Sequence, residues 1–448
     1  MISGMGRQWP FAMLAGLLAL ALPGSPRAQQ APLFVPQWLG AQYTFVDQEQ
    51  SRVHAPYSGP LSLDPNGSIA RSHTFGAYFG VQLPFRLQFY LDLEMFKGEG
   101  VSDATGLGGL TNGDIIRSGV ASLGKRPYVA RSYLRWTLPL GTEDEPVQRG
   151  QDQLPGSQAS RRIEVKLGLM AVNDDFDQNR YANSTRQQFM NWSLWNDTAW
   201  DFAADTRGYT YGVTLGWIMP GWSLRYGIYR MPVQANGQAL VESLSQSSGQ
   251  QLEWTLQPEP DGWALRLLGF YNKGNMGIYR QAIEIAQSTG QLPDIHADDA
   301  PDRHKFGFGI NGELPIADNG DTGFFLRAGW NDGHTESFIF TEVDRLLSGG
   351  FQLSGVHWRR ADDRLGLGIA IDGISRSHAD YLRMGGDGFL LGDGTLRYGP
   401  EQIAELYYNF AATRHLSFSP DLQFIRNPGY NRDRGPARFV GMRAHLQF

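Results

Sequence analysis

The sequence predicts an all-β fold: one 16-stranded antiparallel transmembrane β-barrel with an inward-folded constriction loop. Three observations support this prediction. Segments of about ten residues alternate between apolar and polar side chains, and the connections between them alternate between short and long. After residue 30, no apolar run approaches the ~20 residues that a membrane-spanning helix needs. These features are typical of a barrel with a lipid-facing wall and a wet interior.

The amino-acid composition is unusual for a water-soluble domain. The 448 residues include 55 glycines, and only 19% are charged, whereas soluble domains carry about 25% charged residues. The formal net charge of −6 argues against a nucleic-acid-binding protein. Because the sequence has no cysteine, disulfide bonds and thiolate metal sites are excluded.

The only long apolar stretch lies at the N-terminus. Residues 11–22 are apolar, follow Arg7 and precede a short segment of prolines and small residues that ends at Ala28. A basic start, a short apolar centre and small residues before a cleavage point are typical of a secretory signal rather than a buried helix. The sequence therefore predicts a signal peptide over residues 1–28 and one outer-membrane barrel domain over residues 29–448.

Period-two alternation is the strongest signal in the chain. From Phe75 to Leu83 every second residue is apolar, and residues 86–95 repeat the pattern after a two-residue turn, which predicts a hairpin. The last such segment ends on Phe448. The apolar piece at 338–343 is assigned to a loop, because bacterial barrels have even strand numbers. The sixteen predicted strands begin near residues 38, 73, 86, 129, 162, 209, 222, 251, 262, 303, 322, 350, 364, 403, 416 and 438.

The connections form a second, independent pattern, since outer-membrane barrels have short turns at one end and long loops at the other. The short connections include Pro84–Phe85, Pro220–Gly221, Pro258–Asp261 and Arg359–Asp363. The long ones include Asp47–Ser72, Lys97–Tyr128, Asn173–Gly208, Asn272–Asp302 and Ser375–Gln402. One connection departs from the rule: Gly141–Arg161 is long but falls on the short-turn side.

A soluble β-sandwich or propeller would also contain alternating strands. In this sequence the second face of each strand carries Arg, Asp, Glu and Tyr in strand after strand. A dry core could not hold so many polar groups without partners. A water-filled lumen satisfies them and favours the membrane barrel.

No motif points to an enzyme. Gly307, Gly309 and Gly312 spell the dinucleotide-binding pattern G-x-G-x-x-G, but they lie inside an alternating strand with no helix after it. They are predicted to be small residues on the lumen side of the wall. The sequence contains neither G-x-S-x-G nor H-E-x-x-H. We therefore predict no catalytic residue, no metal ligand and no cofactor.

The connection after the fifth strand is too apolar for a solvated surface loop. It spans Val172–Gly208, and its large aromatic residues include Phe176, Phe189, Trp192, Trp195 and Trp200. Exposed to water, they would form an unusual apolar patch. The loop is therefore predicted to fold into the barrel and narrow the channel.

At this point the sequence resembles a known family, the carbohydrate-selective porins of the OprB type. The resemblance rests on FDQNRYANSTRQQFMNWSLWNDTAWDFAADTRGYTYG in that loop, on GDGFLLGDGTLRYGPEQIAELYYNF, and on the C-terminal FSPDLQFIRNPGYNRDRGPARFVGMRAHLQF. It implies a sixteen-stranded channel in the bacterial outer membrane. It also implies diffusion of monosaccharides and other small sugars through that channel into the periplasm.

Sugars are neutral, so a channel can select them only by size, by hydrogen bonds to hydroxyls and by aromatic contacts with the ring. Candidate solute-contacting residues on polar strand faces are Glu94, Arg131, Tyr133, Arg135, Arg225, Arg266, Arg327 and Glu405. Candidates from the loop are Asp175, Asp177, Arg180, Arg186, Trp192 and Trp195. Arg131 and Arg135, about 7 Å apart along one strand face, are expected to donate hydrogen bonds to one sugar ring or to pair with carboxylates of the loop. Replacing Arg131 is expected to weaken sugar block with little loss of stability.

The predicted partners are small neutral sugars and outer-membrane lipid, with no nucleic acid. Three alternatives remain open at this point: a general or anion-preferring porin, a barrel with a structural or adhesion role, and a barrel enzyme whose site carries no recognisable motif. The sequence also leaves open which sugar passes, the size cutoff, gating, whether a loop binds a metal ion, and whether the barrel is a monomer or a homo-oligomer such as a trimer.

Overall fold

The computed structural model describes residues 30–116 and 123–448, so the predicted signal peptide lies outside the described residues. Sixteen strands form a closed antiparallel barrel, and two further strands, β5 and β6, form a separate hairpin. The strands are β1 (Pro36–Gln50), β2 (Ser68–Gln82), β3 (Leu87–Gly98), β4 (Tyr128–Pro139), β5 (Asp144–Val147), β6 (Gly156–Ala159), β7 (Arg162–Met170), β8 (Thr210–Met219), β9 (Trp222–Tyr229), β10 (Ser248–Leu256), β11 (Ala264–Met276), β12 (Ala300–Ala317), β13 (Thr322–Asn331), β14 (Arg345–Ser354), β15 (Arg364–Gly373), β16 (Glu401–Ala411), β17 (Leu416–Arg426) and β18 (Ala437–Gln447).

The barrel closes between its first and last strands. β18 pairs with β1 in antiparallel register, with Tyr43 opposite Leu446, and every other barrel strand pairs with its neighbours in sequence. Closure leaves no unpaired sheet edge, which is the condition for a sheet to span a bilayer. All sixteen predicted strands are present, each starting within five residues of its predicted start, and residues 338–343 lie in a loop as predicted.

Alternation along the strands separates two environments. On β18, Val440 and Met442 face outward and are 54% and 46% exposed, while Phe439 before them and Arg443 after them face the lumen and are each 1% exposed. The apolar outer face suits contact with lipid hydrocarbon, and the polar inner face suits a wet lumen. The period-two pattern of the sequence is therefore the physical cause of the barrel wall.

The two ends of the barrel differ as the connection lengths predict. The short-turn end has one exception, the segment between β4 and β7, where the β5–β6 hairpin lies. Among the described residues, the long connections contain three helices: α1 (Trp192–Trp195) in the connection between β7 and β8, α2 (Tyr279–Thr289) and α3 (Arg376–Arg383). α2 ends at Gly290, whose φ of 69° is the left-handed conformation that glycine adopts at helix ends. Within the described residues, none of the helices is long and apolar enough to cross a membrane.

The core lies inside the barrel, where the connection between β7 and β8 folds into the lumen as predicted. We call residues 172–208 the constriction loop. Its Phe189 ring packs on Phe325 of β13 and Tyr407 of β16, with centroid distances of 5.4 and 4.9 Å. This packing buries the aromatic side chains that made the loop too apolar for the surface.

Glycines on the wall give the constriction loop room to approach. A Cβ on Gly309 of β12 or Gly329 of β13 would come within 2.4 or 2.0 Å of an Asp197 carboxylate oxygen of the loop. Gly307 and Gly309 face the lumen, as the sequence predicts. The prediction for Gly312 is wrong, because it lies on the outer face between Ile310 and Leu314 in the register of the strand.

Candidate functional site

Arg327 of β13 fixes the constriction loop to one side of the wall. Its side chain is fully buried, and its guanidinium donates to the backbone oxygens of Leu194 and Ala182, both at 2.8 Å. Its Nε lies 3.0 Å from the Asp177 carboxylate. A single arginine thus joins three separate positions of the loop, and its planar group of five donors is well suited to this role.

Buried acidic groups on neighbouring strands provide further anchors. The Glu405 carboxylate of β16 accepts hydrogen bonds from the backbone N–H groups of Met190 and Asn191, at 2.6 and 2.9 Å. Asp372 of β15 accepts one from the Ser193 hydroxyl at 2.6 Å. Charge-assisted bonds of this kind are roughly twice as strong as neutral ones. The loop is therefore held firmly against the β12–β16 side of the barrel.

Anchoring on that side leaves open space against the opposite wall. A cavity of about 560 Å³ lies between the constriction loop and strands β2, β3, β4 and β7, and we call it the main cavity. Its volume falls within the ~300–1,000 Å³ of typical small-molecule sites. The lumen is therefore narrowed on one side rather than filled by the loop.

The charges around the main cavity balance. Among the described residues, four acidic and four basic ones line it: Glu94, Asp114, Asp152 and Asp174, and Arg131, Lys166, Arg186 and Arg207. The described lining also includes eight aromatic residues: Phe96, Tyr128, Tyr133, Trp192, Trp195, Phe202, Tyr209 and Phe340. Such a surface offers many hydrogen-bonding groups and several ring faces without a net formal charge.

Arg131 lies on the wall side of the main cavity. It forms ion pairs with Asp174 of the constriction loop, at 2.6 Å, and with Asp92 of β3, at 3.2 Å. A third carboxylate, that of Asp152, lies 3.5 Å from its Nε. These partners fix the guanidinium in place, since a long side chain with several ion-pair partners loses its rotational freedom.

A second network crosses the cavity at Glu94. Its carboxylate accepts a short hydrogen bond from the Tyr209 hydroxyl and lies 3.4 Å from the Arg186 guanidinium of the constriction loop. Arg186 also donates to Asp114 at 2.8 Å. These contacts join the wall, the constriction loop and the preceding long loop around one opening.

The turn between β4 and β7 reaches into the lumen from the short-turn end. Gln151, Asp152 and Gln153 line the main cavity, and Gln153 also accepts a hydrogen bond from Arg135 at 3.2 Å. Asp152 lies in this turn, outside the spanning strands. Burial raises the pKa of Asp152 to about 6, although nearby Arg131 acts in the opposite direction.

Aromatic rings form the loop side of the cavity. Trp192 and Phe340 stack with a centroid distance of 4.8 Å, and Trp195 lies 4.8 Å from Trp192. The Trp195 Nε1 donor has no hydrogen-bond partner among the described residues. These rings therefore present apolar faces to the cavity, whereas the Trp195 Nε1 atom is itself buried.

The structure separates the fourteen predicted site residues into groups. Six line the main cavity: Glu94, Arg131, Tyr133, Arg186, Trp192 and Trp195. Three line a second cavity of about 290 Å³ between the loop and β8–β11: Asp175, Arg225 and Arg266. Arg135 lines a third, of about 520 Å³, at the short-turn end. The last four bind the loop to the wall or to a turn: Asp177, Arg180, Arg327 and Glu405.

Two details differ from expectation. Arg131 and Arg135 do not face one common space, because the inward turn at Gln153 lies between their cavities. Sequence reasoning also missed the cavity-lining groups of that turn, although its length on the short-turn side was the signal that could have found them. Tyr209 and Lys166 were missed as well, since nothing local distinguishes them from other lumen-facing residues.

A closed barrel of sixteen strands with a long loop folded into its lumen defines a porin, a channel protein of the outer membrane and not an enzyme. The particular family follows from sequence comparison. The model of the carbohydrate-selective porin, OprB family, matches residues 120–448, so the chain belongs to that family and is a sugar porin. A search of curated proteins finds no matching sequence.

One solved structure shows the same fold, and two others align less closely. The high-pH structure of Pseudomonas putida OprB aligns with a TM-score of 0.69 at 16% sequence identity, covering 92% of this chain and 94% of that one. Its low-pH structure aligns with a TM-score of 0.48 at 13% identity, covering 92% of each chain. The outer membrane channel DcaP of Acinetobacter baumannii gives 0.48 at 10% identity, covering 92% of this chain and 97% of that one.

Proposed function

We propose that this porin lets neutral monosaccharides and other small sugars diffuse from the cell surface into the periplasm. The observation that carries the proposal is the lining of the main cavity, where four acidic and four basic groups stand beside eight aromatic residues. A neutral polyol gains hydrogen bonds from charged groups and apolar contact from rings, and it needs no compensating charge.

Within this proposal, the polar residues and the aromatic residues of the cavity bind different parts of the sugar. Arg131 and Glu94 on the wall, with Arg186 on the loop, donate to or accept from sugar hydroxyls. Trp192 and Trp195 pack against the apolar face of the ring. The ion pairs of Arg131 support this assignment, because a donor already held in position loses little entropy when it binds a solute.

The competing roles fit the same lining less well. An anion-preferring porin would have an excess of basic groups at its narrowest part, whereas the acidic and basic groups that line this cavity are equal in number over the part of the chain that the structure describes. A structural or adhesion barrel would have a filled lumen, whereas the loop is anchored to one side and leaves about 560 Å³ open on the other.

Liposome swelling with a size-graded set of solutes tests the proposal. Pentoses and hexoses should enter reconstituted liposomes faster than disaccharides and trisaccharides, and faster than a charged solute of hexose size such as gluconate. Liposomes without protein provide the baseline. Equal entry of glucose and gluconate would indicate a general porin, and no entry of any sugar would indicate a structural barrel.

A further inference from the structure

Three metal-ligating side chains meet at the long-loop end of the barrel. His296 and Asp299 lie in the connection between β11 and β12, and Glu336 lies in the connection between β13 and β14. The His296 Nδ1 atom is 3.1 Å from Asp299 Oδ2 and 4.0 Å from Glu336 Oε2. One ligand atom from each residue lies within 4.8 Å of the other two, the only such group of three among the described residues.

Backbone contacts hold the two connections together at this point. Ile278 and Thr335 form an isolated antiparallel bridge. The Gly277 N–H donates to Glu336 Oε1 at 2.7 Å, and the Glu336 N–H donates to the Gly277 oxygen at 3.1 Å. Contacts that orient a ligand in advance are characteristic of metal sites in proteins.

The Glu336 carboxylate has one oxygen to spare. Its side chain is only 5% exposed, and its Oε1 is used by Gly277. No hydrogen bond to Oε2 is present in the described residues, and this oxygen is directed toward the His296 ring. The Lys305 ammonium donates to the backbone oxygen of Glu336 at 3.3 Å and pairs with Asp201, also at 3.3 Å, whereas Arg303 pairs with Asp298 at 2.6 Å.

The spacing of the three atoms suits a small divalent metal ion. Zinc binds nitrogen and oxygen ligands at about 2.0–2.2 Å, so two ligands in a tetrahedral site lie ~3.4 Å apart. The observed separations of 3.1 and 4.0 Å bracket that value. An imidazole nitrogen favours zinc over calcium and magnesium, which prefer oxygen ligands alone. The His296 side chain is 53% exposed, so water can fill a fourth position.

We propose that His296, Asp299 and Glu336 bind a Zn²⁺ ion that joins these two long loops. The sequence predicted no metal ligand, because the three residues are separated in the chain and match no metal-binding motif. The proposal does not depend on which solute the channel admits. It has a structural consequence for the channel, because Glu336 lies four residues before Phe340, whose ring lines the main cavity.

Equilibrium dialysis of protein without a polyhistidine tag, after chelator treatment, tests the site. The wild-type protein should bind one Zn²⁺ per chain, and His296→Ala and Asp299→Asn should each weaken binding at least tenfold. His304→Ala is the matched control, since His304 is an exposed histidine of β12 that contacts Tyr271 and should leave zinc binding unchanged. A heat-modifiable gel band verifies that each variant is folded.

A measurement on the wild-type protein alone keeps the proposal testable if a variant fails to fold. Co²⁺ should produce the visible absorption of a four-coordinate site, and Zn²⁺ should abolish it at one equivalent while a large excess of Ca²⁺ should not. Zinc binding that is equal in wild type and His296→Ala would overturn the proposal. So would displacement of Co²⁺ by Ca²⁺, or no Co²⁺ absorption at all.

Discussion

The Arg131 guanidinium of β4 forms a two-point ion pair with the Asp174 carboxylate of the constriction loop, with Nε–Oδ2 and Nη2–Oδ1 distances of 2.6 and 2.7 Å. The pair connects the wall to the first turn of the loop beside the main cavity. Under the proposed function, Arg131 therefore has two roles that the sequence could not separate: it donates hydrogen bonds to a solute, and it neutralises buried carboxylates.

Both roles should be visible in substitutions of Arg131. Arg131→Ala should destabilise the barrel by about 3–5 kcal/mol, because it leaves the buried Asp92 carboxylate without its basic partner. The structure thus changes the sequence-based expectation of little loss of stability. The midpoint of the heat-induced gel shift measures the effect, and an unchanged midpoint would show that the ion pairs contribute nothing.

The substitution Arg131→Lys tests whether solute binding depends on the guanidinium group or only on its positive charge. Lysine keeps the positive charge but cannot form the two-point contact, so glucose block of ion current should weaken about tenfold, which corresponds to about 1.4 kcal/mol. Arg303→Lys is the control, because Arg303 pairs with Asp298 at the long-loop end, away from the cavity lining. Equal sugar block in wild type and Arg131→Lys would remove Arg131 from the solute path.

Removal of the constriction loop should widen the channel. The loop leaves the wall where Met170 of β7 pairs with Thr210 of β8, so a four-residue Gly-Ser linker can replace residues 175–206 between adjacent strand ends. Single-channel conductance should rise several-fold, and disaccharides should enter liposomes. The control is a similar replacement within residues 233–245, which do not line the main cavity. An unchanged conductance and size cutoff would mean that the narrowest point lies elsewhere.

The charge of Asp152 should control ion selectivity with pH. The pKa of Asp152 is raised to about 6 by burial, so the carboxylate is ionised at pH 7.5 and protonated at pH 5. Protonation removes one negative charge, and the anion-to-cation permeability ratio should rise roughly two- to fivefold, since one charge at 4 Å in water is worth about 1 kcal/mol. Reversal potentials in a salt gradient measure this ratio.

Asp152→Asn is the matched variant for that experiment. Asparagine is uncharged at both pH values, so the variant should have the higher anion preference already at pH 7.5 and should change less on acidification. If the variant kept the full pH dependence of the wild type, another group would be responsible.

The C-terminal residue should contribute to assembly as well as to the wall. Phe448 and Ala41 of β1 exchange backbone hydrogen bonds of 2.9 and 3.3 Å, and the Phe448 ring is 63% exposed on the outer face. Deleting Phe448 removes the end of the closing contact and should lower the amount of heat-modifiable protein in the outer membrane. Phe448→Tyr keeps an aromatic ring and should assemble normally; equal assembly of the deletion would show that the terminal ring is not needed.

Much of the fold could be predicted because its determinants are local. Alternation over ten residues decides which face of a strand meets lipid, and it holds for Val440 and Met442 without reference to any distant contact. The inward position of the constriction loop was also predictable, since residues such as Phe189 and Trp200 cannot be exposed at low cost. The Gly141–Arg161 connection was recognised as unusual, but its length alone did not show that it enters the lumen.

The sequence predicts the candidate site residues as a group, but it does not distinguish the role of each residue. Asp177 and Glu405 were as plausible as Glu94 from the sequence, yet the first two bind the loop to the wall and Glu94 lines the cavity. Every one of them is a lumen-side polar residue, and such residues differ only in what packs against them. The local sequence pattern therefore identifies the lumen-facing residues, but it does not show which of them line the cavity.

The sequence by itself determined the barrel, its sixteen strands, its two unlike ends and the loop that folds inside, because period-two alternation and aromatic content act over short segments. Only the tertiary structure decided where the open space lies. Arg327, Asp372 and Glu405 come from three strands and reach loop residues more than one hundred positions away in the chain. These contacts form only when the barrel is closed, and together they place the cavity against β4 and leave Arg131 at its edge.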